Sequence, residues 1–247
     1  MSAPWKTALV TGASSGLGRG LAGWLAKRGV KVYAAARRTE LLESLKAESG
    51  DLVVPMKLDV SNGDATFATV AELDVECGGL DLVIANAGGG DETDPAKLKW
   101  PSIKHMIDLN VAGATATLTG ALPAMIERGR GHLVGMSSLA GLMPLPQAST
   151  YCATKAYLAM FLNSLRLDCE PKGVAVTSIH PGFVSTAPNA GKKLPFLMTP
   201  EDAVERMGKA LLRKARVFTF PWQLSAAISF GSSLPMPVQS ALLRKLR

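Results

Sequence analysis

The chain is poor in the residues that build metal centres and disulfide frameworks. It has three cysteines, Cys77, Cys152 and Cys169, and three histidines in 247 residues, and no His/Asp/Glu or Cys cluster at ligand spacing. An odd, scattered set of thiols excludes a disulfide-stapled secreted scaffold and fits small apolar packing residues. No metal is expected. His105 and His132 read as surface positions, and His180, just before Pro181, as structural. Also missing is a secretory leader: Met1 runs through Trp5-Lys6 into a strand without an apolar stretch or cleavage pattern, so a cytoplasmic protein is expected. There is no internal repeat, no low-complexity linker and no composition break before residue 220. The expected organisation is one domain over 1–220 with an extension at 221–247. Nor is there a basic stripe joined to a nucleic-acid reading module, so nucleic acid is excluded as a partner.

What is present is a long apolar fraction, 47% of residues, enough for one well-buried core. Hydrophobic runs alternate with longer amphipathic segments, the sequence form of a parallel sheet with helices on both faces. The predicted fold class is therefore α/β, a doubly wound Rossmann-type fold. Its seven strands are expected at 6–11, 31–35, 52–57, 80–86, 132–137, 175–180 and 217–220, with helices at about 16–28, 40–49, 63–77, 102–128, 150–170 and 201–213. Thr199-Pro200-Glu201-Asp202 supplies an N-cap, a first-turn proline and early acids, while Gly29 and Gly50 close their helices.

The first strand carries Ala8-Leu9-Val10, suited to burial on both faces, and delivers Gly12 to the sheet's carboxyl edge, where ligands bind. The turn reads Thr11-Gly-Ala-Ser-Ser-Gly-Leu-Gly18. Gly12, Gly16 and Gly18 allow a tight turn and close backbone approach; with Ser14, Ser15 and Leu17 they open a helix whose free N–H groups and positive dipole end suit a pyrophosphate. The second strand ends in Arg37-Arg38, about twenty residues after the glycines. An acid there would bond a ribose 2′-OH, whereas guanidinium groups pair with a 2′-phosphate, so NADP(H) is expected over NAD(H). Asp59, followed by Val60, is placed to accept from an adenine amine, and Asn86-Ala87-Gly88 ends the fourth strand beside the same crevice.

Tyr151 and Lys155 are four apart and share a helix face, so the ammonium is expected to favour a phenolate and bring the phenol toward working pH as a general acid/base. The ordered set of the 11–18 turn, Asp59-Val60, Asn86-Ala87-Gly88, Asn110-Val111, Ser138, Tyr151-x3-Lys155 and Pro181-Gly182 with Thr186 resembles the short-chain dehydrogenase/reductase family of the single-domain type, over roughly residues 6 to 190. That resemblance implies roles. Tyr151 would exchange the proton of a carbonyl or alcohol oxygen, and Ser138, chosen over Ser137 by its family spacing to Tyr151, would donate a second hydrogen bond to it. Lys155 would depress the Tyr151 pKa and bind the nicotinamide ribose, and Asn110 would hold a water linking Lys155 to solvent, a kink or cap being its alternative. Pro181, Gly182, Val184 and Thr186 would frame the nicotinamide.

Segments 139–149, 88–100 and 183–199 are expected to line the pocket, and Leu142, Met143, Leu145, Pro146, Phe183, Phe196, Leu197 and Met198, with Lys192 and Lys193 among them, suit a lipophilic ketone, aldehyde or secondary alcohol. Long helices flanking the site suggest a homodimer or homotetramer. The net charge of +7 is lopsided, with 17 basic and 17 acidic residues over 1–191 but 10 basic and 3 acidic over 192–247. The 221–247 extension departs from the usual family ending. It could dock over the pocket or on a neighbouring subunit, lie on an anionic membrane as a peripheral contact, or stay loose; its Gly231–Pro237 break is too early for it to span a bilayer. A non-catalytic NADPH-binding sensor or scaffold is the rival reading.

Overall fold

The computed structural model describes residues 3–90, 94–186, 191 and 194–244. Seven strands, β1 (Thr7–Thr11), β2 (Lys31–Ala36), β3 (Val53–Lys57), β4 (Leu82–Ala85), β5 (Gly131–Met136), β6 (Val174–Pro181) and β7 (Val217–Phe220), form one sheet. Their order is β3-β2-β1-β4-β5-β6-β7, and every pairing is parallel. The order reverses between β1 and β4, which opens a crevice at the carboxyl edge where Gly12 and Asn86 leave the sheet.

The alternation of side chains along each strand divides the core in two. From β1, Ala8 and Val10 face one layer with Leu21, Leu25 and Trp24, whereas Leu9 faces the other with Leu118 and Leu158. The other central strands divide likewise, with Leu82 and Ile84 on the first side and Val83 and Ala85 on the second. Helices α1 (Gly16–Ala26), α2 (Thr39–Ser49) and α8 (Pro200–Leu212) cover the first face. The second is covered by α3 (Gly63–Glu76), α5 (Ala114–Gly120), α6 (Leu122–Glu127) and α7 (Ser149–Cys169), with α4 (Trp100–Ile107) packed outside them against α7. Residues such as Leu9, Leu21, Leu25 and Leu133 have no exposed surface, and each such burial is worth about 1.5–3 kcal/mol.

Polar clamps close the layers. Arg128 donates to both carboxylate oxygens of Asp74 at 2.7 Å, and Asp74 also accepts from the Leu80 amide, tying the ends of α3 and α6 to the start of β4. Trp24 donates its indole N–H to Glu205 at 2.7 Å, with the Arg28 guanidinium 3.6 Å above its ring. Thr199 accepts from the Asp202 amide and Pro200 opens α8, the cap read from the sequence.

The structure corrects the sequence reading in three places. The helix expected over 102–128 starts at Trp100 and is three α-helices with a π-helical segment at Asp108–Gly113. This stretch is long and apolar enough to cross a membrane by length and composition, but half of its apolar window is buried inside the protein, so its apolarity is used in packing. The extension folds as α9 (Trp222–Ser233) and α10 (Met236–Arg244), which were not foreseen as helices. His132 is fully buried rather than on the surface, because it enters β5 at a position paired with both Leu82 and Ala175.

The His132 ring lies 5.7 Å from that of Trp5, and its Nε2 meets Thr177 Oγ1 at 2.8 Å. Because the Thr177 hydroxyl donates to Ala215 O, it accepts from Nε2–H, which leaves Nδ1 as a buried acceptor without a partner. Burial lowers the His132 pKa to about 3. Above pH ~6.5, the ordinary imidazole value, both folded and unfolded states hold it neutral. As pH falls below that value the unfolded chain takes up a proton that the folded one refuses, so stability declines with a slope of up to about 1.4 kcal/mol per pH unit. His180, also lowered by burial, adds in the same direction. His132→Gln, which keeps a donor for Thr177, is expected to lose a smaller part of its Tm than the parent between pH 7.5 and 5.5 in thermal unfolding; an unchanged difference would refute the linkage.

Candidate active site

The nucleotide side of the crevice is built by a stitch between the ends of β1 and β4. Thr11 Oγ1 accepts from the amides of Asn86 and Ala87 at 3.2 Å each, and Asn86 Nδ2 donates to Thr11 O at 2.9 Å. The two segments then lie so close that side chains are excluded: a Cβ on Gly12, which has φ +68°, would come within 2.7 Å of Ala87 Cα, and one on Gly18 would fall on Gly12 O and the Asn86 amide. α1 begins behind this turn with no side-chain cap and no acid in its first turn, leaving its N–H groups and positive dipole end free for an anion. Leu17 packs on the first core layer.

Arg38 reaches across the mouth of this cradle and donates to Ser14 Oγ and Ser15 Oγ, both at 3.0 Å. Arg37 is exposed beside it; the Asp59 carboxyl is held below its usual range, against the opposing effect of burial, chiefly by hydrogen bonds from Ser61 and further by the charge of Arg37. Val60 is buried, its carbonyl against Gly113 of the π segment where a Cβ would collide. Across the cleft, Thr186 Cγ2 would be 3.4 Å from a Cβ on Gly16, so the 181–186 segment closes on the glycine turn. Val184 is buried and bridges to Met198, and Gly182 follows the end of β6 at Pro181. These residues fit a dinucleotide: a side-chain-free cradle at a free helix N-terminus, flanked by two guanidinium groups.

The second part of the site lies where β5 and α7 meet. Ser137 is used structurally, donating to Lys155 O at 2.8 Å, while Ser138, in extended backbone, accepts from the Ala140 amide at 3.1 Å, donates to Pro181 O at 3.5 Å and favours the ionised form of the Tyr151 phenol. His180 sits behind Ser138, with Nδ1 3.3 Å from Ser138 O and Nε2 2.8 Å from Ser178 Oγ. Lys155 is 5% exposed, lies 5.8 Å from the Tyr151 ring centroid and donates to Met136 O at 2.8 Å. Asn110 is buried in the π segment. Its side chain pairs with the backbone of Gly89 in both directions, at 3.0 and 2.8 Å, and donates to Thr154 Oγ1 at 3.1 Å.

Burial dominates the electrostatics. It raises the Tyr151 pKa, with the Ser138 hydroxyl opposing, and it lowers Lys155 to about 8. The depression of Tyr151 by Lys155 expected from their spacing is not what this arrangement gives, because the ammonium is committed to Met136 O and desolvation outweighs attraction at that separation. The site instead pairs a neutral phenol with an ammonium that is charged at neutral pH.

Sequence reasoning placed Gly89 and Gly90 only within the expected 88–100 lining and gave neither a role. A Cβ on Gly90 would lie 2.5 Å from Tyr151 Cδ2, and one on Gly88 3.0 Å from Asn110 Oδ1 and 3.1 Å from Lys155 Nζ. The Gly88-Gly89-Gly90 run was the available signal, since three adjacent glycines after a buried strand mark close backbone approach. Around the mouth, Leu142, Phe196 and Leu197 are exposed, while Met143, Leu145, Pro146, Phe183 and Met198 are half-buried. Lys192, Lys193 and residues 91–93 and 187–190 of the expected lining lie outside the described residues. A small cavity of about 80 Å³ beside the start of α7 is lined by Lys97, Lys99, Ser102, Gln147 and Thr150 among others.

A family model described as short chain dehydrogenase matches residues 6–194. The chain is 51% identical over 248 residues to an uncharacterized oxidoreductase of Myxococcus xanthus, covering 98% of each chain. It is 38% identical over 177 residues to the NADP-dependent 3-hydroxy acid dehydrogenase YdfG of Salmonella typhimurium, covering 71% of each. Among solved structures, a short-chain dehydrogenase from Sphingobium yanoikuyae in complex with NADPH superposes with a TM-score of 0.80 at 27% identity, over 93% of this chain and 96% of that one.

The Lys155 value has a direct check. In 15N-detected NMR of the lysine side chains, one ammonium is expected to lose its proton near pH 8 while ordinary lysines titrate near ~10.4, and that resonance is expected to vanish in Lys155→Met. Titration of every lysine in the ordinary range would refute the burial argument.

Proposed function

The chain belongs to the short-chain dehydrogenase family, and from that membership we propose that it is an NADP(H)-dependent oxidoreductase interconverting a lipophilic ketone or aldehyde and its alcohol. The observation that carries the proposal is the convergence of Tyr151, Ser138 and Lys155 beside a cradle shaped for a dinucleotide. Bound there, the nicotinamide supplies the hydride in reduction and takes it up in oxidation.

In reduction, the neutral Tyr151 phenol gives its proton to the carbonyl oxygen as the carbon gains the hydride, and the same group takes the proton back in oxidation. Ser138 donates to that oxygen and stabilises its developing charge. The Lys155 ammonium stabilises the phenolate left on Tyr151 and holds the ribose hydroxyls. Asn110 fixes the Gly89 backbone against α7 and supports a water path from Lys155 to solvent. Gly12, Ser14, Ser15, Gly16, Leu17 and Gly18 cradle the pyrophosphate; Asp59, Val60, Asn86, Ala87 and Gly88 border the adenosine side; Pro181, Gly182, Val184 and Thr186 frame the nicotinamide. Arg37 and Arg38 pair with the 2′-phosphate, a reading supported by the lack of an acid at the end of β2 and by the NADPH complex of the Sphingobium structure.

The exposed and half-buried apolar groups at the mouth support a lipophilic substrate. A second reading, a hydroxy acid, is favoured by the YdfG relative and by Lys97 and Lys99 at the small cavity, which would suit a carboxylate. We also propose one catalytic domain over 1–220, a cytoplasmic setting, and a homodimer or homotetramer, for which the exposed Trp100, Tyr157, Met160 and Leu167 on α4 and α7 are the natural surface.

The deciding experiment follows NADPH oxidation with aromatic, steroid-like, quinone and long-chain carbonyls and a 3-oxo acid, beside NADH. Tyr151→Phe is expected to lower kcat by at least about 100-fold, and Arg38→Ala to raise the KM for NADPH by about 10-fold or more while leaving NADH unchanged. Tight NADPH binding without turnover in either direction would favour the non-catalytic sensor.

Gly90 gives a separate prediction. Because a methyl there must push the Tyr151 ring aside, Gly90→Ala is expected to lower kcat by about tenfold or more and to shift the alkaline limb of the pH–rate profile, with the Kd for NADPH unchanged by fluorescence. Equal loss of cofactor binding and kcat would mean that the loop, not the phenol, had moved.

A further inference from the structure

From Pro221 to Leu243 the chain contains no Asp, Glu, Lys, Arg or His, although this segment is surface. Charged residues ordinarily make up roughly a quarter to a third of a soluble surface. α9 divides into two stripes. The inner one, Leu224, Ser225 and Ile228 after Pro221, faces the active-site elements: Leu224 Cδ2 and Leu139 Cδ1 would lie 2.9 and 3.2 Å from a Cβ on Gly182, and Met143 Cε 3.4 Å from one on Gly231. The outer stripe carries Trp222, 71% exposed, and Phe230, 70% exposed, with Ala226 between them. α10 adds the exposed Met236, Val238 and Leu242, and Gln239, buried, ties it back to α9 through Ser232 O and Leu234 O.

We propose that the α9–α10 hairpin is a docking surface for an anionic phospholipid bilayer. Large apolar side chains on its outside, aromatic ones among them, suit the interfacial region of a membrane. The only charged side chains beyond Phe220 are Arg244, Lys245 and Arg247, all basic, at the end of the apolar stretch, and juxtamembrane basic clusters draw a protein to acidic lipid. The hairpin lies on the bilayer and does not cross it: α9 has 12 residues and the Leu234-Pro235-Met236-Pro237 break follows it, against about 20 needed to span.

The consequence for chemistry rests on the oxidoreductase reading; the docking does not. The inner face of α9 packs on Leu139 and Gly182, which adjoin Ser138 and Pro181. Docking through the outer face sets the substrate mouth beside the bilayer, so the substrate class is a carbonyl or alcohol that partitions into lipid.

The test is co-sedimentation of the full chain with vesicles of phosphatidylcholine alone and of phosphatidylcholine with phosphatidylglycerol. Binding is expected only to the acidic vesicles and is expected to weaken in high salt. The double variant Trp222→Ser/Phe230→Ser, and separately Arg244→Gln/Lys245→Gln/Arg247→Gln, should each reduce partitioning by at least tenfold, with far-UV circular dichroism and NADPH binding retained. Absence of binding to acidic vesicles at low salt would overturn the proposal, as would binding indifferent to both variants. A change in particle mass on light scattering for Trp222→Ser/Phe230→Ser, without vesicle binding by the parent, would overturn it in favour of self-association. Loss of carbonyl turnover with sedimentation intact would count against the oxidoreductase reading alone.

Discussion

The contact on which the rest of the site depends is the stitch between Thr11 and Asn86. A parallel sheet whose strand order reverses leaves two neighbouring strands delivering their chains in opposite directions at one edge, and the backbone groups there have no ladder to satisfy them. Thr11 Oγ1 takes the amides of Asn86 and Ala87, and the Asn86 side chain takes Thr11 O, so the gap is closed by side chains without adding bulk. The separation between the glycine turn and residues 86–90 is thereby fixed. Asn110 then holds Gly89 by its backbone and Thr154 by its hydroxyl, so the register of α7, and with it Tyr151 and Lys155, is measured from β4. One polar relay runs from the glycine turn to α7.

That relay explains a π-helical segment inside an otherwise α-helical stretch. Extra residues in a π turn widen the helix and turn one side chain out of the regular face. At Asp108–Gly113 this buries Asn110 toward Gly89 while Gly113 lets the same helix approach Val60 O. The cost of burying an amide is offset because both its oxygen and its nitrogen are paired.

The fold was legible because the periodicities are simple: runs such as Ala8-Leu9-Val10 and Leu82-Val83-Ile84 must be buried on both faces, and the glycine spacing names the first crossover. The residues of the site were legible as types and spacings, and Tyr151, Lys155, Ser138 and Asn110 are brought to one edge. What one sequence hides is what depends on distant partners. His132 looked like a surface histidine because nothing local says that Trp5 and Thr177 surround it. Gly90 looked like loop because its constraint is a ring 61 residues further on. The phenol was expected to be acidified by its lysine, but a spacing of four gives a shared face and not the distance, the competing acceptor or the burial that set the pKa.

The two halves of the molecule therefore differ in what specifies them. From β1 to β6 the requirements are backbone requirements: close approaches that only glycine allows and amides that must be paired, which leave little freedom in sequence. The family model stops at residue 194. Beyond it β7 continues the backbone ladder of β6 and α8 closes on Trp24 at Gly208, while the hairpin is held by side-chain packing, Leu224 beside Gly182, which many combinations of residues can supply. The tail is nonetheless not arbitrary, since the Myxococcus relative aligns over 98% of both chains. A segment beyond the family model yet spanned in this pair, with its inner face beside Leu139 and Gly182 and its outer face uncharged, is where this oxidoreductase's own selectivity has room to be written.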